Sequence, residues 1–382
     1  MKSIYFFAVN RHQFDYFHKI AALIEKRGEA HASVTHLGRN WSFYIWIYLS
    51  SLCSDTVRAA ARLRLRGYYQ EHEKSCRLCL ALRHLWYISI AALRYSQASA
   101  LLCKNKPDVV VLWNGSKWHQ GMIKQLAKTH GMETIFFENG GLPNTTTIDC
   151  KGVNAENSVP RTPEFYRSYQ PVSNNSFSPD TKLEVREQKI QREEINVLGR
   201  GQRYIFVPFQ VDSDTQILLH SPHIKNMKEL WQLLDNITDK IQDDLVFVVK
   251  EHPSSINDYT ALHNKNSKIL FSTESTQKLI ENAEQVWTIN SSVGLEAILL
   301  GKPVVVLGDA FYAIPGVAES VRPIRDIACY LNNIPSFDSF VRDKFICYLR
   351  SEYYIPESWR SMGDDHLNYS VDYVFLLLNK SS

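Results

Sequence analysis

The chain of 382 residues has no apolar run long enough to cross a lipid bilayer. Its most apolar aromatic run, WSFYIWIYLSSLC at 41–53, has 13 residues, whereas a spanning helix needs about 20. The first residues, MKSIYFFAVNRHQFDYF, also lack the long apolar stretch and small-residue cleavage site of a secretory signal. We therefore expect a cytoplasmic protein, with peripheral membrane contact through residues 41–69 as an open alternative.

Cysteine is scarce, and its number, seven, is odd. This suits reduced thiols in a cytoplasmic setting better than a framework of disulfides. Cys76 and Cys79 form a CxxC, but no second pair stands at a spacing typical of zinc sites. Because the surrounding segment has the pattern of a helix, we expect two interior-facing thiols and no metal site.

Two common phosphate-binding motifs are also missing. Neither GxGxxG nor GxxxxGK[ST] occurs where a strand would lead into a helix, which argues against dinucleotide or ATP chemistry. The net charge of +3 is too small to indicate a nucleic-acid partner. The D-x-D of Asp212 and Asp214 is interpreted as lining a cleft and not as binding a metal ion. No cofactor is expected.

The aromatic run at 41–53 is followed by a basic segment, RAAARLRLRGYY at 58–69, which carries four arginines. An aromatic helix beside a basic helix can lie on an anionic membrane face. The commoner arrangement is a buried helix packed beside a solvated one. The sequence favours the buried helix and leaves the membrane face open.

Strand-like and helix-like segments alternate in two blocks. The strand candidates of the first block are SIYFFAV, PDVVVLW and TIFF, and those of the second are QRYIFVPF, DLVFVVKEHP, KILF, QVWTI and PVVVLG. Segments with helical periodicity stand between them, for example FDYFHKIAALIEKRG. This alternation predicts an α/β protein with two Rossmann-like domains, each built on a parallel sheet.

Composition suggests where the domains begin and end. We expect a first domain at 1–170, a polar linker at 171–201 and a second domain at 202–340, followed by helices at 341–382 that pack back on the first domain. Two such domains joined by a linker resemble the GT-B glycosyltransferases, in which the site lies in a cleft between the lobes.

The second block contains a candidate phosphate site. The strand QVWTI leads through Asn290 and Ser291 into a helix that begins near Ser292. Serines at a helix start cap free amide groups, and the same groups can hold a phosphate. Glu296, one turn further, can accept ribose hydroxyls or complement the helix dipole. His252, in KEHP at a strand end, can donate a hydrogen bond to a phosphate or a pyrimidine.

The first block contains two acids in glycine- and proline-rich sequence. Glu138 follows the strand TIFF, and Asp149 comes eleven positions later in a segment that is predicted to be a loop. Loops at strand ends are where open α/β folds bind their ligands. Two carboxylates at such a place are either catalytic groups or solvated surface acids.

Taken together, these motifs resemble a known family. ENGGLP, TIDCKGVNAENSVPRTPEFYR, VPFQVDSDTQ, KEHP and INSSVGLEAILLGKPVVVLG occur in this order, which is similar to the capsule polysaccharide biosynthesis family of Gram-negative bacteria. Its KpsS-like and KpsC-like members are retaining β-Kdo transferases that use CMP-Kdo. The resemblance implies transfer of Kdo to a glycolipid or oligosaccharide acceptor in capsule or lipopolysaccharide synthesis.

The resemblance also implies roles for individual residues. Asp149 matches the position of the nucleophile, and Glu138 matches the acidic residue that follows the preceding strand and is expected to manage the proton. The reverse division of roles between these two acids stays open. The CMP moiety is expected to contact five residues of the second domain, which are His252, Pro253, Ser291, Ser292 and Glu296. The rest of the substrate is expected to contact Lys151, Asn154, Arg161, Gln210 and Asp214.

Two other functions stay open. The protein could be a GT-B transferase for another CMP- or UDP-sugar that inverts the anomeric centre, or a non-catalytic partner of a capsule assembly or export complex. Two acids together with a complete nucleotide site favour the enzyme, since a binding module needs no carboxylate pair.

Overall fold

The computed structural model describes residues 1–36, 45–72, 76–171, 183 and 201–380. Most of the predicted linker at 171–201 lies outside these residues. The chain divides into two compact units. Unit 1 comprises Met1–Gly140, Asn144–Ser158 and Tyr353–Ser382, and unit 2 comprises Gly141–Pro143 and Val159–Glu352.

The described residues form twelve strands. They are β1 (Lys2–Ala8), β2 (Ala30–His36), β3 (Val109–Trp113), β4 (Glu133–Asn139), β5 (Thr145–Asp149), β6 (Arg203–Pro208), β7 (Leu245–Lys250), β8 (Ile269–Phe271), β9 (Gln285–Thr288), β10 (Val304–Val306), β11 (Glu319–Ser320) and β12 (Tyr354–Pro356).

They also form twelve α-helices. These are α1 (Arg11–Arg27), α2 (Ile45–Ser51), α3 (Asp55–Glu71), α4 (Arg77–Asn105), α5 (Trp118–Thr129), α6 (Pro163–Ser168), α7 (Thr215–His220), α8 (Met227–Asp235), α9 (Thr276–Asn282), α10 (Ser292–Leu299), α11 (Ser339–Tyr348) and α12 (Asp364–Lys380). No helix in the described part of the chain is both long and apolar enough to cross a membrane.

Unit 1 is built on a six-stranded sheet in the order β2-β1-β3-β4-β5-β12. The first four strands are parallel, and all five side chains of β3, VVVLW, are buried, as in a sheet covered on both faces. β5 and β12 add an antiparallel edge. The loop that we expected around Asp149 is therefore a strand, because its three threonines favour extended pairing beside β4.

Unit 2 is built on a second six-stranded sheet, whose paired strands are all parallel, in the order β8-β7-β6-β9-β10-β11. The chain moves from β6 outward to β8 and then returns to the other side of β6 with β9. The carboxyl ends of β6 and β9 consequently form a topological switch point, which is where open α/β sheets bind ligands. The two predicted Rossmann-like domains are confirmed.

The last helices belong to different units. α12 packs on α1 in unit 1, where the Tyr16 hydroxyl lies 2.9 Å from Nε2 of His366. α11 lies in unit 2, because the buried Arg342 donates to the carbonyls of Val317 and Lys302 at 2.7 and 3.0 Å. Of the segment 341–382, only the part from residue 353 onward belongs to unit 1.

Helices α2, α3 and α4 cover part of unit 1 but leave apolar side chains in solvent. Tyr48 and Leu52 pack against the apolar cluster of α3 and α4, whereas Trp46 is exposed. The expectation of a buried helix is thus wrong for the outer side of α2. Cys76 and Cys79 are also exposed, so the prediction of interior-facing thiols is wrong, because the first turns of α4 extend beyond the core.

His119, near the start of α5, is a half-buried ionisable group whose ring atom Nε2 is closed to solvent. Its Nε2 atom has no hydrogen-bond partner among the described residues. Burial, reinforced by the positive charges of Lys117, Arg64 and Arg94, lowers the pKa of His119 from 6.5 to about 4. The folded protein therefore holds this imidazole neutral at a pH where the unfolded chain would protonate it.

This imidazole predicts a pH-dependent loss of stability. A depressed histidine pKa lets the unfolded state bind the proton first, so stability falls as pH drops from about 6.5 towards about 4. A shift of this size corresponds to about 3 kcal/mol in the free energy of unfolding of unit 1. Urea unfolding, followed by hydrogen exchange of unit 1 peptides, should show a shallower pH dependence in His119→Gln. The exposed-histidine control His12→Gln should keep the wild-type dependence, and an unchanged dependence in His119→Gln would contradict the prediction.

Candidate functional site

The switch point of unit 2 is held together by two side-chain amides. Gln210 follows β6 and Asn290 follows β9, and both are buried. The Gln210 amide donates to Oδ1 of Asn290 at 2.9 Å, and the Asn290 backbone N–H donates back to Oε1 of Gln210 at 3.2 Å. Gln210, which the resemblance assigns to substrate binding, thus positions the loop that enters α10.

Helix α10 begins at this loop. Ser291 is its N-cap, and its hydroxyl accepts a hydrogen bond from the Val293 N–H at 3.2 Å. The Tyr312 hydroxyl donates to the Ser291 carbonyl, and a Cβ at Gly294 would lie 2.4 Å from that hydroxyl oxygen. Gly294 therefore permits the close approach of Tyr312 that holds the start of the helix. Ser291 is half-buried and Ser292 is exposed at a helix N-terminus of the kind that binds anions.

His252 lies two residues beyond β7, at the edge of the sheet where β6 also ends. Its Nδ1 atom accepts a hydrogen bond from the Ser254 N–H at 3.1 Å. The proton of the neutral ring is therefore on Nε2, which makes that atom a donor. Pro253, between these two residues, is half-buried in the same turn. The parallel sheet brings this histidine loop and the α10 loop to one edge.

Two further acids lie near this edge of unit 2. Glu251 is hydrogen-bonded to His263, with 3.0 Å between Oε1 and Nε2, and both side chains are largely buried. Glu296, in the second turn of α10, is half-buried.

The D-x-D motif has structural contacts. Asp212 is buried and accepts hydrogen bonds from the Met227 N–H, the Asn257 amide and the Tyr259 hydroxyl at 2.7, 2.7 and 2.8 Å. Burial of the Tyr259 hydroxyl raises its pKa, and the nearby charge of Asp212 raises the pKa further. Asp214 caps α7 by accepting from Gln216 N–H at 2.8 Å. No group of three potential metal-ligating side chains occurs within the described ranges. Asp214, expected at the substrate, is accounted for as a cap.

In unit 1, Glu138 lies at the carboxyl end of β4. Its Oε2 atom accepts a hydrogen bond from the Asn114 amide at 2.7 Å, and its Oε1 atom accepts one from the Asn139 N–H at 2.9 Å. The carboxylate is half-buried. The sequence analysis missed Asn114, which is buried with φ 69° just after β3. The Asn-Gly pair directly after a strand is the signal that could have identified it.

Asp149 has a different environment, because it is fully buried. Its Oδ2 atom accepts from the Ser158 N–H at 2.7 Å, the Ser158 hydroxyl at 2.8 Å and the Tyr353 hydroxyl at 2.9 Å. Its Oδ1 atom accepts from the Lys151 and Gly152 N–H groups at 2.7 and 3.3 Å. A carboxylate that is closed to solvent and holds five donors is poorly placed to attack a sugar. The geometry therefore argues against Asp149 as the nucleophile and makes it the organiser of the 150–158 loop.

The remaining expected substrate residues are divided between the two units. Lys151 is exposed and Asn154 is half-buried, both in the unit 1 loop that Asp149 organises. Arg161 belongs to unit 2, where Nη1 donates to the carbonyls of Val159 and Phe311 at 2.8 and 3.2 Å. These contacts give Arg161 a structural role within its own unit.

The two units are Rossmann-like α/β domains, and unit 2 has a polar switch point. Residues 177–326 match the family model described as capsule polysaccharide biosynthesis protein. This match confirms the predicted resemblance to the capsule polysaccharide biosynthesis family. It covers the switch-point residues of unit 2, from Gln210 to Tyr312, but does not extend to Glu138, Asp149 or Arg161.

Individual relatives agree with this family. Protein FixF of Sinorhizobium fredii is 38% identical over 54% of this chain and 50% of its own length. The capsule polysaccharide export protein KpsS of Escherichia coli is 26% identical over 51% of this chain and 65% of its own length. The chain thus spans about half to two thirds of these relatives.

Among solved structures, the chain is similar to the KpsC β-Kdo 2,7-transferase of Thermosulfurimonas dismutans. The TM-score is 0.43 and the identity is 18%, over 75% of this chain and 89% of that one.

The five donors around Asp149 generate a stability prediction. Asp149→Asn replaces one acceptor oxygen by an NH2 group that faces other donors, so buried N–H and O–H groups lose their partner. We expect a loss of about 3 kcal/mol in the free energy of unfolding, measured by urea unfolding at neutral pH. Asp55→Asn, an exposed acid of the same unit, is the control and should change stability by less than about 0.5 kcal/mol. Equal stability of Asp149→Asn and wild type would contradict this role.

Proposed function

We propose that the protein is a retaining β-Kdo transferase, which moves Kdo from CMP-Kdo to a glycolipid or oligosaccharide acceptor in capsule or lipopolysaccharide synthesis. The observation that carries the proposal is the edge of unit 2 where the start of α10 and the ring of His252 lie beside the β6–β9 switch point. This edge combines backbone amides, serine hydroxyls and an imidazole donor, which are groups that bind a phosphate.

Two acids near this edge are engaged by donors of the protein itself. Asp212 accepts three hydrogen bonds, and Glu251 is hydrogen-bonded to His263. A CMP leaving group departs as a phosphate monoester, and donors at this edge would stabilise the charge that develops on it. Glu296 is suited to accept hydrogen bonds from ribose hydroxyls.

We propose that Glu138 and Asp149, the two acids of unit 1, have different roles because they differ in burial. Glu138 is the half-buried acid at a strand end, and we assign it the reaction with the anomeric carbon. In the first step a Glu138 oxygen bonds to that carbon as the bond to the CMP phosphate oxygen breaks. In the second step an acceptor hydroxyl attacks the same carbon and passes its proton to a water molecule, while the bond to the Glu138 oxygen breaks and releases the carboxylate. Two displacements retain the configuration of the donor.

Asp149 is then a positioning residue. It fixes the backbone of the 150–158 loop, which carries Lys151 and Asn154, and Lys151 can approach the carboxylate of Kdo. The proposal needs a donor made in the cytoplasm, so we place the activity there.

The first test concerns the nucleotide. Removing the hydroxyls with Ser291→Ala and Ser292→Ala, or the ring donor with His252→Ala, should weaken CMP binding about tenfold to a hundredfold, since each loses hydrogen bonds to a charged group. Isothermal titration calorimetry with CMP gives the dissociation constants.

Ser275→Ala is the matched control for the CMP measurement. Ser275 caps α9 by accepting from the Lys278 N–H at 3.3 Å, so its loss removes an equivalent cap from the same unit. CMP affinity should stay at the wild-type level in this variant. If all of these variants bind CMP equally well, the nucleotide does not bind at this edge.

The second test concerns the acid. Glu138→Gln keeps the size of the side chain but removes the nucleophile, so Kdo transfer should fall by about a hundredfold or more while CMP affinity is retained. Intact-mass and peptide mass spectrometry of wild type incubated with CMP-Kdo should find one Kdo on the peptide that contains Glu138. A Kdo adduct on Asp149, or full transfer by Glu138→Gln, would reverse our division of roles.

One assay separates the proposal from the other functions. Wild-type protein with CMP-Kdo and an acceptor should give a β-linked product, and UDP-sugars should give none. An α-linked product would indicate inversion, and turnover of a UDP-sugar would indicate another donor. Binding of CMP without turnover of any donor would favour a non-catalytic assembly partner.

A further inference from the structure

The first three turns of α4 present an apolar stripe to solvent. Leu78, Leu82, Leu85 and Trp86 are 69, 59, 62 and 61% exposed. Their spacing of four, three and one residues places them on one side of the helix. The second half of the same helix is buried against unit 1. The stripe therefore extends a helix beyond the domain that it stabilises.

Helix α2 adds further exposed apolar side chains beside α4, against which it packs. Trp46 is 79% exposed, and Ile45 and Leu49 are about half exposed. Within the described residues, eight of the sixteen exposed large hydrophobic side chains lie between residues 45 and 86. Single exposed apolar residues are normal, but such a concentration marks an interaction surface.

The neighbouring helix α3 supplies positive charge. Arg58, Arg62 and Arg66 stand at intervals of four residues and are all exposed. Residues 45–105 contain nine Lys and Arg against three Asp and Glu, a net charge of +6, whereas the whole chain carries only +3. The rest of the protein is thus net negative, and the positive charge is concentrated beside the apolar stripe.

Side-chain contacts fix α3 against α4. The guanidinium of Arg83 on α4 lies 3.9 Å from the ring centre of Tyr68 on α3, and Arg64 lies 4.4 Å from that of Tyr87. Two contacts in opposite directions make the pair one rigid element. The basic residues of α3 and the apolar residues of α4 consequently belong to one surface, which we call the α2–α4 surface.

We propose that the α2–α4 surface docks on an anionic lipid bilayer. Its leucines and tryptophans would enter the headgroup region, where tryptophan is enriched, and its arginines would bind lipid phosphates. Charge decides between the possible occupants, since a second copy of this surface would bring two net positive faces together. This inference concerns where the protein lies and does not depend on the proposed reaction.

Vesicle flotation tests the docking. Full-length protein should float with vesicles of phosphatidylcholine that contain about 30% phosphatidylglycerol. Much less protein should float with pure phosphatidylcholine, because the arginines bind anionic headgroups. Leu82→Glu with Trp86→Glu should lower the bound fraction about tenfold on the anionic vesicles. Arg58→Gln, Arg62→Gln and Arg66→Gln together should remove the dependence on phosphatidylglycerol.

Matched controls come from the same unit. Leu376→Glu changes an exposed leucine of α12, and Lys19→Gln with Lys26→Gln removes exposed charges of α1. Both should float like wild type, and thermal unfolding should show that all variants remain folded. Wild type that ignores anionic vesicles, or variants of the α2–α4 surface that float normally, would overturn the proposal. Loss of dimers on light scattering in Leu82→Glu with Trp86→Glu, without lipid binding by wild type, would assign the surface to a second copy instead.

Discussion

The contact between Gln210 and Asn290 is the interaction on which the site of unit 2 depends. These residues end two strands that pair with each other in the sheet, although they are separated by 80 positions in the chain. Their amides satisfy each other, and the second Asn290 donor reaches the carbonyls of Gln216 and His220 at 3.0 Å. All polar groups of the Asn290 side chain are hydrogen-bonded, which holds the residue just before the cap of α10 in place. The position of the serines at the start of α10 therefore depends on this contact.

Burial is what separates the roles of the two acids in unit 1. In sequence, Glu138 and Asp149 look alike, since both follow apolar residues and stand near glycine or proline. In the structure, β4 and β5 are antiparallel, and Asp149 pairs with Phe136 at a position covered by Tyr353. Five donors offset the free energy that is needed to bury the charge of Asp149. A carboxylate without such partners would strongly destabilise the fold at this position. Glu138 needs less compensation because water reaches it, and the same access leaves it available to a substrate.

The sequence predicts those features that depend on neighbours along the chain. The buried strands β3, β6, β7 and β9 read as apolar runs, and Ser291 reads as a helix cap, since each signal lies within a few residues. It does not predict the partner of Asp149, because Tyr353 is 204 positions away. Nor does the sequence predict that the Gln210 amide forms hydrogen bonds with Asn290. The exposed side of α4 was missed for a related reason, because an apolar helix pattern indicates burial somewhere but not what the helix is buried against.

In both units, side-chain amides hold the loop that follows a strand. In unit 1 the Asn114 amide orients Glu138 and its carbonyl accepts from the Ser116 N–H at 3.1 Å, while in unit 2 Gln210 and Asn290 orient the start of α10. Amides both donate and accept without carrying a charge. They can therefore hold strand-end loops in place without adding to the field at the site. An anionic donor would be repelled by acids used for the same purpose, and cations used instead would compete for its phosphate. At these two strand ends, positioning by neutral amides adds no charge beside Glu138 in unit 1 or beside Ser291 in unit 2.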